Sequence, residues 1–205
     1  MMGIAVFASG NGSNFEVLVN HSRQNKWIYP ISLLVCDRPG AGVLKRAERL
    51  NIPVLSESPK QYPDKGAYEK RILEHLKAHQ IKRIVLAGYM RLIGPTLLEA
   101  YPDQIINIHP SLLPAFPGKN AIEKAFVHPV CVSGVTVHLV DQGMDTGPIL
   151  AQVPVEIERG DTLEIFEQKI HQAEHRLYPE TVQKWIAGEI GLRRVEMKHH
   201  EEGKN

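Results

Sequence analysis

The first half of the chain alternates short apolar runs with helical patterns, and this alternation constrains the fold more than any other feature. Five runs of strand-forming residues recur along it, at Ile4–Ala8, Ile31–Cys36, Val54–Leu55, Ile84–Ala87 and Ile105–Ile108. Between the runs, apolar residues return every three or four positions, as on one face of a helix. Nearly continuous apolar strands are typical of parallel sheets that are buried on both sides. We therefore predict an α/β fold with a doubly wound, mostly parallel sheet.

The pattern changes beyond residue 130, where two stretches alternate between apolar and polar positions. These stretches are residues 135–140 and 149–157, and the turn-forming sequence "DQGMDTGP" at 141–148 joins them. We predict that they form an antiparallel extension of the sheet. Pro154 lies within the second stretch, and because proline cannot donate to a strand ladder, this strand is expected at an edge.

A long C-terminal helix is expected after the second alternating stretch. Its apolar stripe comprises Leu163, Phe166, Ile170, Ala173 and Leu177. Asp161 or Thr162 can cap its start. Pro179 lacks a main-chain N–H group, so we expect a kink or a break near it.

Length and composition predict one domain over residues 1–188 and a polar tail over 189–205 that is expected to be disordered. The formal net charge of +1 gives no electrostatic reason to expect a nucleic acid or a membrane as partner. Cys36 and Cys131 belong to no CxxC pair, and the N-terminus carries neither a basic leader nor a long apolar run. We therefore expect reduced, buried thiols and a cytoplasmic location.

The stretch "IAVFASGNGSN", residues 4–14, carries the first chemical signal. It predicts a strand, a turn of small residues and a helix that begins near Ser13. Gly10 and Gly12 permit a tight turn, and the free N–H groups of a helix start form an anion site, most often for phosphate. A dinucleotide fingerprint would need glycine at Phe15, and no Gly-Lys-Ser/Thr follows. The loop therefore favours a phosphorylated ligand other than NAD or ATP. The alternative is a plain turn that is capped by Ser13 or Asn14.

The stretch "INIHPSLLPAFPG", residues 106–118, carries the second signal. Asn107 and His109 stand two apart at the end of a predicted strand, so their side chains point the same way. In an open parallel sheet, ligands bind at the carboxyl ends of strands. An amide can stabilise a developing oxyanion and an imidazole can move a proton, which together suit acyl transfer. The three prolines restrict the loop. The alternative for His109 is a structural histidine with its bonds satisfied by neighbours.

A catalytic histidine needs a partner that orients its ring. Asp145, in the glycine-rich stretch after residue 140, is the best candidate because a carboxylate stabilises an imidazolium ion. The alternative for Asp145 is an ordinary turn aspartate.

Five motifs, in order along the chain, together resemble one family. "ASGNGSN", "AGYMRLIG", "INIHPSLLPAFPG", "GVTVH" and "GMDTGPIL" are similar to motifs of the glycinamide ribonucleotide formyltransferases, over about residues 3–185. The resemblance implies a Rossmann-like formyltransferase fold. It also implies transfer of the formyl group of 10-formyltetrahydrofolate to the amine of 5-phosphoribosylglycinamide in purine biosynthesis. No metal is implied, and a monomer or a homodimer is expected.

The resemblance also implies roles for particular residues. The catalytic set is Asn107, His109 and Asp145. The contacts to the phosphoribosylglycinamide are Gly12, Ser13, Asn14 and Glu174. The contacts to the folate are Lys65, Met90, Arg91, Leu92, Ile93 and Asn107, with residues 140–144 as a wall around the pterin. Lys65 stands where some members carry an arginine, and Asn120 where some carry a histidine, so the contacts of those two positions are open.

Three other functions stay open. The chain could be another enzyme that uses 10-formyltetrahydrofolate, either the hydrolase or the methionyl-tRNA formyltransferase. Residues 171–175, "HQAEH", match the HxxEH pattern of inverted zinc peptidases, although five residues make a weak motif. The chain could also bind a phosphorylated ligand without catalysing a reaction, since fold alone does not settle function.

Overall fold

A computed structural model describes residues 2–128 and 130–191 of the protein. The strands are β1 (Gly3–Ala8), β2 (Ile31–Cys36), β3 (Val54–Ser56), β4 (Ile81–Leu86), β5 (Ile105–His109), β6 (Val132–Leu139) and β7 (Ile149–Glu156). The helices are α1 (Ser13–Gln24), α2 (Gly42–Arg49), α3 (Lys65–Ala78), α4 (Pro95–Ala100), α5 (Ala121–Val127) and α6 (Leu163–Ile186). A short 3₁₀ helix, Pro59–Gln61, precedes α3.

The strands of this part of the chain form one seven-stranded sheet in the order β3-β2-β1-β4-β5-β6-β7. The first five pair in parallel, and β6 and β7 continue the sheet as an antiparallel pair. The predicted α/β sheet with an antiparallel extension is therefore confirmed. The chain reverses its direction of winding between β1 and β4, which opens a crevice at the carboxyl ends of these strands.

Each face of the sheet is covered by helices, and the residues of one strand divide between the two sides. In β1, Ile4 and Val6 join the core under α1, α2, α5 and α6, whereas Ala5 and Phe7 join the core under α3 and α4. This alternation follows from the period-two geometry of a strand. Burial on both faces explains why the run is apolar throughout.

Strand β4 begins three residues earlier than its apolar run predicts. Lys82 and Arg83 interrupt the pattern, and the pairing with β1 shifts register here, because Gly3 pairs with Ile81 and Ile4 with Arg83, which leaves Lys82 out of the register. The Arg83 guanidinium lies 4.9 Å from the centre of the Trp185 ring, a distance at which a cation attracts an aromatic face. The aromatic partner on α6 makes an arginine compatible with this half-buried position.

Helix α6 is capped by Thr162, whose side chain accepts a hydrogen bond from Ile165 N. It runs through Pro179 without interruption, so of the kink or break expected there the break is excluded. Pro179 is buried together with its neighbour Tyr178. The Tyr178 hydroxyl donates to Leu86 O, at 2.7 Å. We infer that this packing against the sheet offsets the cost of a proline inside the helix.

The ends of the sheet and of the chain complete the fold. Strand β7 lies at the edge, as Pro154 predicts. Both thiols are free, but only Cys36 is buried; the prediction is wrong for Cys131, which lies in the surface connection before β6. No helix among the described residues is long and apolar enough to cross a membrane. Of the predicted tail, residues 192–205 lie outside the described residues.

Candidate active site

Strand β5 delivers Asn107 and His109 to the carboxyl edge of the sheet. Its partners in register are β4, where Leu86 faces Asn107, and β6, where His138 faces Asn107. His109 is buried and Asn107 partly exposed. The proline-rich loop after β5 folds back over His109, whose Nε2 lies 2.9 Å from Phe116 O. Because a carbonyl can only accept, His109 Nε2–H is the donor of this hydrogen bond.

The loop between β6 and β7 brings Asp145 to the same place. Asp141 organises this loop, because its side chain accepts hydrogen bonds from Gly143 N at 3.0 Å and from Thr146 Oγ1 at 2.7 Å. Asp145 itself adopts a left-handed backbone conformation with φ +58°, which aspartate tolerates better than most residues. Its Oδ2 accepts a hydrogen bond from Gly118 N at 2.8 Å. The loop after β5 and the loop after β6 are thereby joined.

Four side chains form a continuous polar chain at this point. His109 Nδ1 lies 3.3 Å from Asp145 Oδ2, and the other carboxylate oxygen, Oδ1, lies 3.6 Å from His138 Nε2. His138 Nε2 is in turn 3.3 Å from Asn107 Nδ2. The three residues that the resemblance implies as catalytic are therefore brought together, and His138 joins them.

Sequence reasoning missed His138. Its Nδ1 lies 2.8 Å from Leu139 O, so Nδ1–H donates there and Nε2 carries a lone pair when the ring is neutral. The neutral ring can accept from Asn107 Nδ2–H, and the protonated ring can donate to Asp145 Oδ1. The available signal was a histidine inside an alternating strand. Its position opposite Asn107 depends on the strand register, which the sequence does not state.

The polar chain fixes the charge of Asp145. Its pKa is lowered to about 2, chiefly by the hydrogen bond with His138 and also by Gly118 N–H and by the charge of His109, against an opposing effect of burial. Asp145 is therefore an anion at neutral pH. It can stabilise positive charge on either imidazole, but as the conjugate base of so strong an acid it is a poor proton acceptor.

The start of α1 is open, as an anion site requires. Gly12 occupies the cap position with φ +80°, and no side chain caps the helix. Within the described residues, the N–H groups of Ser13, Asn14 and Phe15 have no acceptor. A Cβ atom on Gly12 would lie 2.4 Å from Val43 Cγ2, so only glycine fits here. The alternative of a turn capped by Ser13 or Asn14 is wrong.

Glu174 of α6 faces this helix start. Its Oε2 accepts hydrogen bonds from Asn14 Nδ2 at 3.0 Å and, on the other side, from His171 Nδ1 at 3.0 Å. The Asn14 side chain also has a buried oxygen, Oδ1, without a hydrogen-bond partner. The four residues implied as contacts to the phosphoribosylglycinamide are therefore neighbours in space.

The segment implied as a folate contact follows β4 at the same edge. Met90, Arg91 and Leu92 are exposed, whereas Ile93 is buried in the core between the sheet and α3. Lys65, at the first turn of α3, lies beside this segment, with its Nζ 3.8 Å from Glu69 Oε1. Asn120 is the cap residue of α5, with φ +57°.

The HxxEH stretch does not assemble a metal site. Glu174 is engaged by Asn14 and His171, and among the described residues no three histidine, cysteine or acidic side chains are grouped so that they could hold a metal ion. The Glu174 carboxylate of α6 instead interacts with Asn14 at the start of α1.

Comparison with known proteins gives a consistent result. Residues 2–182 match the family model described as formyl transferase. The chain is 55% identical to the phosphoribosylglycinamide formyltransferase of Bacillus subtilis (strain 168), over 91% of this chain and 95% of that protein. It is 38% identical to a trifunctional purine biosynthetic protein adenosine-3 of Drosophila pseudoobscura pseudoobscura, over 94% of this chain but 14% of that protein.

Solved structures agree with this result. Glycinamide ribonucleotide transformylase 1 from Geobacillus kaustophilus superposes with a TM-score of 0.88 at 55% identity, covering 91% of this chain and 99% of that one. The chain belongs to the formyl transferase family, in its phosphoribosylglycinamide formyltransferase branch.

Proposed function

We propose that the chain transfers the formyl group of 10-formyltetrahydrofolate to the amine of 5-phosphoribosylglycinamide, giving formyl-phosphoribosylglycinamide and tetrahydrofolate in purine biosynthesis. The observation that carries this proposal is the polar chain of Asn107, His138, Asp145 and His109 at the sheet edge that also holds the open start of α1. Acyl transfer needs hydrogen-bond donors such as those of the polar chain, and a phosphorylated acceptor needs an anion site such as the open start of α1.

The reaction proceeds by direct attack of the acceptor amine on the formyl carbon. A new carbon–nitrogen bond forms, negative charge develops on the formyl oxygen, and the bond to the folate nitrogen then breaks. Asn107 Nδ2–H stabilises the oxyanion. Its contact with His138 Nε2, at 3.3 Å, is long for a hydrogen bond, so this donor is free to turn to a stronger acceptor. Removal of one such donor typically raises a barrier by ~2.7–4 kcal/mol.

His109 contributes through its Nδ1 edge. Its Nε2–H donates to Phe116 O, so the nitrogen left for chemistry is Nδ1, which lies 3.3 Å from Asp145 Oδ2 and carries a proton only when the ring is protonated. Asp145 stabilises the imidazolium electrostatically, consistent with its pKa of about 2. The acceptor amine loses a proton and the folate nitrogen gains one. His109 and His138, rather than Asp145, are the groups suited to exchange it.

The two substrates occupy opposite sides of the polar chain. The phosphate lies on the N–H groups that follow Gly12, and Glu174 with Asn14 receives the ribose hydroxyls. The folate lies on the apolar side chains of Met90 and Leu92, with its acidic tail toward Lys65. No step requires a metal ion. We infer a cytoplasmic location, which unpaired thiols favour.

One assay tests this function against its alternatives. The purified protein is mixed with 10-formyltetrahydrofolate and 5-phosphoribosylglycinamide, and tetrahydrofolate formation is followed by absorbance. We expect turnover that depends on both substrates. Release of formate without phosphoribosylglycinamide would indicate the hydrolase, and formylation of methionyl-tRNA would indicate the tRNA enzyme. Binding of either ligand without turnover would overturn the catalytic proposal.

A further inference from the structure

Segment 90–94, between β4 and α4, exposes apolar side chains that the fold itself does not bury. Met90 is 57% exposed and Leu92 is 53% exposed, although each could gain free energy by turning into a core. Something other than apolar packing must therefore hold these side chains outward. The anchors of the segment are polar, and they come from three different elements.

The first anchor comes from β2. Asp37 follows directly after this strand, and its side chain is only 2% exposed. Its Oδ2 accepts a hydrogen bond from Arg91 Nε at 2.8 Å. Because β1 lies between β2 and β4, the Arg91 side chain crosses the end of β1 to reach it. The other oxygen of the carboxylate, Oδ1, is buried without a hydrogen-bond partner, so the ion pair with Arg91 is the interaction that compensates this buried charge.

The second anchor comes from α3. Glu69 is nearly as buried as Asp37, with a side chain 5% exposed, and its Oε1 accepts a hydrogen bond from Gly94 N at 2.6 Å. A Cβ atom on Gly94 would lie 2.6 Å and 2.8 Å from the two carboxylate oxygens, so this contact requires glycine. Burial raises the pKa of Glu69, and Gly94 N–H and the Lys65 ammonium oppose that rise. A third, neutral anchor is Ser9 Oγ, which accepts from Met90 N at 2.9 Å.

We propose that Asp37 and Glu69 are positioning residues that hold segment 90–94 in the shape that receives the flat ring of the folate co-substrate. Their carboxylates fix the two ends of the segment before ligand binds, so that binding does not have to order it. The proposal rests on the proposed function for the identity of the ligand. It goes beyond that function in assigning the folate affinity to two buried acids that touch neither substrate.

The test separates folate binding from the rest of catalysis. Binding of tetrahydrofolate to the full chain is measured by calorimetry, and KM is measured for each substrate, in Asp37→Ala, Glu69→Ala, Glu69→Gln and the wild type. Each alanine variant is expected to weaken tetrahydrofolate binding about tenfold, as for the loss of one buried hydrogen-bond partner. The KM for phosphoribosylglycinamide is expected to stay within about twofold, because the α1 start is untouched.

Conservative variants distinguish positioning from folding. Glu69→Gln keeps an oxygen that can accept from Gly94 N–H, so it should recover most of the affinity that Glu69→Ala loses. Glu74→Gln removes an exposed acid from the same helix and serves as the matched control. If the alanine variants fail to fold, Gly94→Ala applies the same test, because its Cβ displaces the Glu69 carboxylate.

Two outcomes would overturn the inference: unchanged folate affinity in folded variants, or equal losses for both substrates. Failure of the proposed function looks different. The wild type would then bind tetrahydrofolate but form no formylated product, and the effect of the variants on binding would still decide the role of Asp37 and Glu69.

Discussion

His138 Nε2 lies 3.6 Å from Asp145 Oδ1, on the opposite side of the carboxylate from the oxygen that faces His109. Asp145 is thus shared between two imidazoles, and His138 is also within 3.3 Å of Asn107. His138 therefore connects Asn107, the proposed oxyanion donor, with the Asp145 carboxylate. A site with only three catalytic residues would lack this connection.

The variant His138→Gln tests the connection. Because the hydrogen bond with His138 is the largest cause of the lowered pKa of Asp145, that pKa should rise from about 2 toward its ordinary value. Carbon-13 NMR of the Asp145 carboxyl group, titrated from pH 1.5 to 6, measures the shift. We expect kcat to fall at least about tenfold at the same time. The control His75→Gln changes a partly exposed histidine of α3. An unshifted Asp145 pKa in His138→Gln would show that His138 does not act on Asp145.

The variant Asp145→Asn should fold and lose most turnover. Asparagine keeps the size and the left-handed backbone tolerance of aspartate, but it removes the charge that stabilises the imidazolium. We expect kcat to fall by about 100-fold or more, the range seen when a preorganised electrostatic group is lost. Asp103→Asn is a matched control, since Asp103 is exposed and has nearly the same backbone, φ +57°. A wild-type rate in Asp145→Asn would exclude Asp145 from the mechanism.

Acid should destabilise the protein partly through Asp145. Its folded pKa, about 2, lies below the ordinary value of 3.8, so the folded state binds this proton less readily than the unfolded state. The group therefore adds stability above about pH 4, and this contribution is lost as pH falls toward 2. It amounts to about 2 kcal/mol. Urea unfolding between pH 2 and 6 measures it. Asp145→Asn should show a shallower pH dependence, and identical curves for the two proteins would contradict this assignment.

The variant Gly12→Ala should damage the proposed anion site at the start of α1. Alanine would be strained at φ +80°, and its Cβ would overlap the Val43 side chain. We expect the KM for phosphoribosylglycinamide to rise more than about tenfold, because the N–H groups after Gly12 would shift by fractions of an ångström. Gly40→Ala is the matched control: its φ is +87°, but its Cβ would meet nothing within 4 Å. Equal KM values in the two variants would show that the overlap with Val43 does not matter.

The sheet could be predicted because the burial of each strand is visible in the strand's own residues. A strand such as β1 is buried on both faces, and that burial selects an unbroken apolar run at each such position. Positions whose tolerance depends on a partner distant in sequence could not be predicted in this way. Arg83 continues a buried strand because Trp185 lies over its guanidinium, and α6 passes through Pro179 because the sheet holds the flanking turns. Neither partner is visible from the local pattern.

The site was predictable to a similar extent. Asn107 and His109 share a face because strands have period two, and the open helix start follows from the glycine turn. His138 was missed because its place beside Asn107 depends on which residues of β5 and β6 pair. The buried acids Asp37 and Glu69 were missed for a related reason, since each acts on a segment more than twenty residues away in sequence.

The Tyr178 hydroxyl has a consequence for substrate selection. It joins α6 to main-chain oxygens of β4 and β5, Leu86 O at 2.7 Å and Ile106 O at 3.5 Å. Glu174 lies one helical turn before Tyr178, and Asn107 lies one residue after Ile106, so this hydroxyl links the helix of the proposed ribose contact to the strand of the proposed oxyanion donor. In the proposed reaction, the separation of these two groups limits the length of the acceptor. We expect that a glycinamide analogue longer by one methylene would still bind through its sugar, but that its amine would lie beyond the formyl carbon and react poorly.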